Sequence, residues 1–261
     1  MPIEIPSNLT PELVPFSWLL GQWEGTGSLW YEGEEGTPFG QIMTFTQDGL
    51  PFIEYRAESF LLDDNGNKLR PLTVETGFWQ IDRQQQDGDV GPGLRAADVV
   101  PVHPDAESVE KLRNGDDGFN LLASIAHPGG MTENYAGLIK GPVIRMQTAN
   151  LMRDDISKEY AGSVRLWGLV NGNLMWDWEI ADDEGKLHKH ASAELRKTGS
   201  MGGLDLGGHL FDAHLPKLKI LRIHLKVNKC LLATKALFCK VSACLKHPVP
   251  TPVWRLTTAS R

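Results

Sequence analysis

Between residues 174 and 180 apolar and polar side chains alternate without a break: Leu174, Trp176, Trp178 and Ile180 on one side, Met175, Asp177 and Glu179 on the other. A period of two describes a strand with one buried and one wetted face. Asp182-Asp183-Glu184-Gly185 is a polar, glycine-containing connection of hairpin length, and residues 188–197, HKHASAELRK, read as the returning strand. The same signature recurs upstream. It predicts strands over 39–46, 51–61, 73–81, 119–126, 132–138, 143–151 and 159–170, divided by turn residues such as Asp48-Gly49, Asp64-Asn65-Gly66, Pro128-Gly129-Gly130 and Asn171-Gly172-Asn173. Near the start, Gly21, Gly25 and Gly27 bracket Trp23 in a further strand, where glycines at alternate positions imply close backbone approach or strong bending. A proline-rich lead-in, residues 1–16, precedes it with one helical turn expected at Thr10–Leu13. No amphipathic helical pattern of two or more turns occurs before residue 198. The expected fold class is all-β: about ten antiparallel strands closed into a barrel, which leaves no unpaired edge and is wide enough to enclose a ligand.

Two stretches break the pattern. Residues 83–118 hold many turn residues and few strand candidates, and read as a long mobile loop with one helical turn at Ala106–Leu112. Residues 198–261 change composition altogether. They carry 10 Lys and Arg against 2 Asp and Glu, which leaves residues 1–197 with 16 and 31 of the chain's 26 and 33. The chain therefore divides into an acidic barrel, 1–197, and a basic extension, 198–261, which also holds all three cysteines, Cys230, Cys239 and Cys244. Within the extension, 221–227 alternates like a strand and 229–246 looks closer to a helix with a basic face. Such a segment suits a membrane surface or a partner protein; the plainer readings are a loosely ordered tail or a non-native extension of the reading frame. The cysteine spacing is not that of a zinc site, so free thiols are expected.

An acidic barrel argues against nucleic-acid binding, and the absence of cysteine from it excludes disulfides there. No apolar run approaches the ~20 residues of a membrane helix. The N-terminal residues lack a basic start and an apolar core, so no signal peptide is expected and the cytoplasm is the expected compartment.

Chemistry concentrates in the 174–197 hairpin, where an aromatic strand meets a histidine pair, His188 and His190. A histidine pair there suggests a soft ligand beside an apolar pocket, and a surface histidine near a strand end is the plainer reading. In an unbroken strand His188, His190, Ser192 and Glu194 share a face opposite Ala191, Ala193 and Leu195. Were the apolar face interior, His190 would point outward. Either a β-bulge re-aims the ring, or the small residues face outward. His127 reads as a turn residue and His103 as solvated. Trp23, Trp79, Trp176 and Trp178 read as core, and Asp177 and Glu179 as a solvated face.

Three separated motifs carry a resemblance. Gly21-x-Trp23-x-Gly25-x-Gly27, Glu75-Thr76-Gly77-Phe78-Trp79 and His190-x-x-Ala193-x-Leu195 occur in the order seen in nitrobindins, with flanking text (LVPFSWLLGQWEGTG, FTQDGLPFIEY, AHPGG, SKEYAG, VNGNLMW) that agrees. Residues 1–197 thus resemble an actinobacterial nitrobindin, a family with a fold similar to fatty-acid-binding proteins. The resemblance implies a ferric heme b near the barrel mouth, His190 as proximal iron ligand, and isomerisation of peroxynitrite to nitrate with nitric oxide as a further ligand. It also implies that Lys158, in Ser157-Lys158-Glu159-Tyr160, meets the heme periphery, and a homodimer is a candidate assembly. His188 is the competing ligand. The family's Tyr-Pro-Thr is here Tyr31-Glu32-Gly33, so its proline and threonine are missing, and the 83–118 insertion is long for the family. Two other functions are carried forward: a non-catalytic carrier of a fatty acid or other apolar molecule, for which Arg153, Arg165 and Lys158 are the available cations, and a heme-based nitric oxide sensor whose extension engages a partner.

Overall fold

The computed structural model describes residues 9–31, 36–89, 91–93, 98 and 100–199. Ten strands follow in order: β1 (Gly21–Leu29), β2 (Thr37–Thr46), β3 (Ile53–Leu62), β4 (Lys68–Ile81), β5 (Phe119–His127), β6 (Met131–Lys140), β7 (Val143–Arg153), β8 (Ser163–Val170), β9 (Asn173–Ala181) and β10 (Leu187–Gly199). Each pairs antiparallel with the next, and β10 pairs with β1, closing the expected barrel. Local chemistry sets the hairpins. At the β9–β10 turn Asp182 Oδ1 accepts the backbone N–H groups of Glu184 (3.0 Å) and Lys186 (2.8 Å), while Gly185 supplies a φ of 77°.

Most strand limits lie close to those the alternation predicts, and two differ for visible reasons. β4 begins at Lys68, earlier than expected, because register shifts against β3 let Pro71 sit opposite Phe60 without ending the ladder. β8 begins only at Ser163: Gly162 has a φ of 129°, and the Ser163 N–H goes to Thr148 Oγ1 at 2.7 Å.

The end of the barrel where β1 begins is solid. A short 3₁₀-helix, Pro11–Phe16, packs there against β4 and β6, burying Leu13 and Phe16 completely, and Trp23 Nε1 donates to the Leu19 carbonyl at 2.6 Å. Above it Phe45, Tyr55, Trp79, Trp167 and Trp176 interlock, with neighbouring centroids such as Trp79–Trp167 and Trp167–Trp176 at 5.3 and 5.7 Å. Close approach of β1 and β10 explains two motif glycines. A Cβ at Gly25 would overlap the Glu194 carbonyl oxygen, and one at Gly27 the Ser192 carbonyl oxygen. The other end, where β1 ends and β10 begins, is the mouth.

The inserted segment carries one short helix, α1 (Ala106–Glu110), capped by Asp105, whose Oδ1 accepts the Ser108 N–H at 2.8 Å. Its start is pinned rather than free: the nearly buried Arg83 guanidinium forks onto Glu12 of the 3₁₀-helix (2.8 and 2.9 Å) and onto Asp89 (2.7 and 2.6 Å). His103 departs from expectation. Both of its ring nitrogens are buried, with no hydrogen-bond partner among the described residues. No helix among the described residues is long and apolar enough to cross a membrane. The strand expected at 221–227, the helical stretch at 229–246 and the three cysteines lie outside the described residues.

Candidate functional site

His190 occupies the interruption in β10. Lys189 pairs with Glu179 and Ala191 with Trp178, so His190 is the extra residue of a β-bulge. That irregularity resolves the facing conflict. Ala191, Ala193 and Leu195 are buried in the interior, Lys189 turns outward to Asp177 (3.6 Å) and over the Trp30 ring (4.3 Å), and His190 joins the interior side. Its imidazole stands perpendicular to the Trp178 indole at 4.9 Å between centroids, with Tyr31 at 6.0 Å. The His190 carbonyl accepts the Trp30 N–H at 2.7 Å. Burial lowers the imidazole's pKa and the Arg165 charge adds to this, against the pull of the Trp30 carbonyl, so the neutral form is favoured. His188 has a different setting: it is exposed at the rim, and its Nε2 lies 2.6 Å from Asp182 Oδ2.

Beneath the mouth lies a polar floor. Arg165 on β8 reaches across the barrel to Glu75 on β4, with Nη1 and Nη2 donating to the two carboxylate oxygens at 2.6 and 2.9 Å. Tyr55 donates to Glu75 at 2.5 Å, and Arg165 Nε donates to the Tyr135 hydroxyl at 3.0 Å. Tyr135 in turn donates to Glu133 at 2.6 Å, which also accepts from Tyr160, Ser163 and Thr148. His127 closes the circuit at the end of β5, with Nδ1 3.4 Å from Glu75 and Nε2 3.3 Å from Glu133. Burial pushes the Glu75 carboxyl up. The charge and hydrogen bonds of Arg165, helped by His127 and Tyr55, outweigh that and hold it at about 2. Glu133 is likewise lowered despite burial, by His127, Thr148 and Tyr135, while burial raises Tyr55 and Tyr135. The outer face of the Arg165 guanidinium lies over the Trp178 indole, 4.1 Å from its centroid.

A family profile described as THAP4-like, heme-binding beta-barrel domain matches residues 12–197. The chain belongs to this family. Among relatives of this heme-binding barrel, the chain is 55% identical over 198 residues to a peroxynitrite isomerase of Paenarthrobacter aurescens, covering 76% of this chain and 100% of that protein. It is 54% identical over 202 residues to a peroxynitrite isomerase of an Arthrobacter species, covering 76% and 99%. The crystal structure of Rv2717c from M. tuberculosis matches with a TM-score of 0.52 at 21% identity, over 75% of this chain and 100% of that one, which supports the fold alone.

The expected site residues of this heme-binding barrel do not all gather. His190 is at the mouth. Lys158 is exposed on the β7–β8 loop, which is tied down where Ser157 Oγ donates to the Gly129 carbonyl (2.5 Å) and Tyr160 reaches Glu133. Gly21, Trp23, Gly25 and Gly27 build the β1–β10 seam and the closed end and touch no part of the mouth's chemistry. His127, expected in a turn, is instead nearly buried between two carboxylates. Trp178, read as core, is only partly buried and walls His190. Glu75, Glu133 and Arg165 were not singled out as a set. The available signal was a charged residue at an inward position: Glu133 alternates in phase with Tyr135, and Arg165 with Trp167.

Proposed function

We propose that this protein is a peroxynitrite isomerase working through ferric heme b at the barrel mouth, with His190 as the residue that would ligate iron. The observation that carries the reading is a neutral-favoured imidazole presented at the open end of a barrel whose family binds heme. The mouth residues fit that group. An imidazole flanked by Trp178 and Tyr31 offers one nitrogen to iron while the Trp30 carbonyl favours N–H on the ring, the usual arrangement for a metal-ligating histidine. Heme held there would supply a Lewis-acidic iron for the rearrangement of peroxynitrite to nitrate.

The chain's own part is to hold, orient and exclude. Desolvation together with Arg165 favours the unprotonated His190 that can ligate. Lys158, exposed on the β7–β8 loop, would offer a charge-assisted contact to a propionate. The polar floor closes the interior below. Glu75 and Glu133 are held ionised there, and the isomerisation needs no net proton from them. Nitric oxide would be a further ligand of the bound group.

The carrier alternative needs a free buried cation for a carboxylate. Arg165 is the buried candidate, and both its terminal nitrogens are on Glu75, while Arg153 and Lys158 are exposed. The test is reconstitution with ferric heme, wild type beside His190→Ala. A Soret band in wild type that is lost or shifted in the variant, followed by accelerated peroxynitrite decay in wild type only, supports the proposal. If wild type takes up no heme, or the variant's spectrum is unchanged, the carrier reading moves ahead.

A further inference from the structure

His190 sits in a bulge, and a bulge residue lacks the paired neighbour that would hold its side chain in a regular ladder. Something else must fix the plane of its ring. The backbone is secured by the Trp30 N–H, and the Trp30 carbonyl draws one ring N–H, which holds one edge of the imidazole and leaves its tilt about that contact to the neighbouring rings. Two aromatic rings flank the imidazole. Tyr31 is 58% exposed and stands 6.0 Å away, a loose neighbour. Trp178 stands at 4.9 Å and 90°, with its indole Nε1 buried and without a hydrogen-bond partner among the described residues. No polar contact therefore orients the indole itself. The indole packs against the core on one side, and over its ring lies the Arg165 guanidinium, 4.1 Å from the centroid and immobilised by its fork onto Glu75 and its bond to Tyr135.

We propose that Trp178, braced by Arg165, is the positioning residue that sets the plane of the His190 imidazole for its bond to heme iron. The assignment rests on the heme reading above. A cross-barrel ion pair holds a flat cation, the cation holds an indole face, and the indole holds the imidazole edge-on. The pair has a second effect of the same sign: it brings a fixed positive charge up behind the ligand, which withdraws electron density from iron. Ring plane and ligand basicity are what the outer partners of a metal-bound histidine ordinarily control, here through the edge-on indole beside the Trp30 carbonyl.

The experiment reconstitutes the full chain with ferric heme as wild type, Trp178→Leu, Trp178→Phe and His190→Ala. It records the Soret band, the ferric EPR spectrum, the reduction potential and the rate of heme loss to excess apomyoglobin. Trp178→Leu is expected to shift the Soret band, broaden the EPR signal and release heme about 10- to 100-fold faster. Trp178→Phe keeps a flat wall and is expected to recover most of the wild-type spectrum. Should Trp178→Leu fail to fold by circular dichroism, the double variant Arg165→Met with Glu75→Gln removes the brace without stranding a carboxylate, and is expected to change the EPR signal and lower the potential with Trp178 in place. The proposal is overturned if Trp178→Leu keeps wild-type spectra and heme retention, if Leu and Phe lose heme equally with unshifted spectra, or if the fallback double variant matches wild type. A wild type without heme, or a His190→Ala spectrum like wild type, overturns the heme reading itself and this inference with it. Normal wild-type and His190→Ala behaviour beside a silent Trp178→Leu sinks the inference alone.

Discussion

Arg165 and Glu75 are nearly or wholly buried, 90 residues apart in sequence and bonded twice. Removing one member of such a pair leaves a lone charge in a low-dielectric interior, which costs about 3–5 kcal/mol. Arg165→Met should therefore destabilise the apoprotein by that order in urea denaturation, and adding Glu75→Gln should recover most of the loss. The pH dependence follows from the same residue. Folding lowers the Glu75 pKa from 4.5 to about 2, so its stabilisation is complete above about pH 4.5 and lost as pH falls towards 2. Unfolding midpoints measured between those limits should fall steeply in wild type. The dependence should be shallower in Glu75→Gln, where Glu133, also lowered, remains. A wild-type curve no steeper than the variant's would mean that Glu75 is not held ionised.

At the scale of elements, the seam between β1 and β10 carries the functional burden. Its register brings Leu29 opposite Ala191, so the bulge at His190 lies just beyond the last bonded pair of β1. Deleting Lys189 should restore unbroken pairing and place His190 opposite Glu179, on the outer face. The expected outcome is an apoprotein that melts close to wild type and shows no wild-type Soret band on adding ferric heme. The glycines of β1 serve the same seam. A methyl group at Gly25 must push the Glu194 carbonyl away, and Gly25→Ala should cost about 1–3 kcal/mol in thermal or urea unfolding. Both the glycine motif and the hairpin were legible in sequence because alternation and turn chemistry are local. The bulge was legible only as one of two alternatives, since a residue count along one strand does not show what it pairs with.

For the whole molecule, closure is complete by Gly199, which pairs with Gln22, and the family match ends at residue 197. A chain ending at Gly199 is expected to take up heme with the wild-type spectrum and to melt within a few degrees of the full protein. A collapse of either would show that the basic extension supports the barrel. The sequence by itself determined the number and order of strands, the barrel class and a tryptophan-rich core, and its resemblance to nitrobindins supplied His190 as the candidate ligand over His188. The strands, the barrel and the core follow from short-range periodicity and from glycine and proline chemistry, and the ligand from three motifs spread along the chain. Only the tertiary structure decided which way His190 faces, that His188 is engaged with Asp182, and that Glu75, Glu133, Arg165 and His127 form one floor. The physical reason is distance along the chain. A charge at an inward strand position signals a buried partner, but barrel closure chooses that partner by bringing β4, β5, β6 and β8 to a common interior.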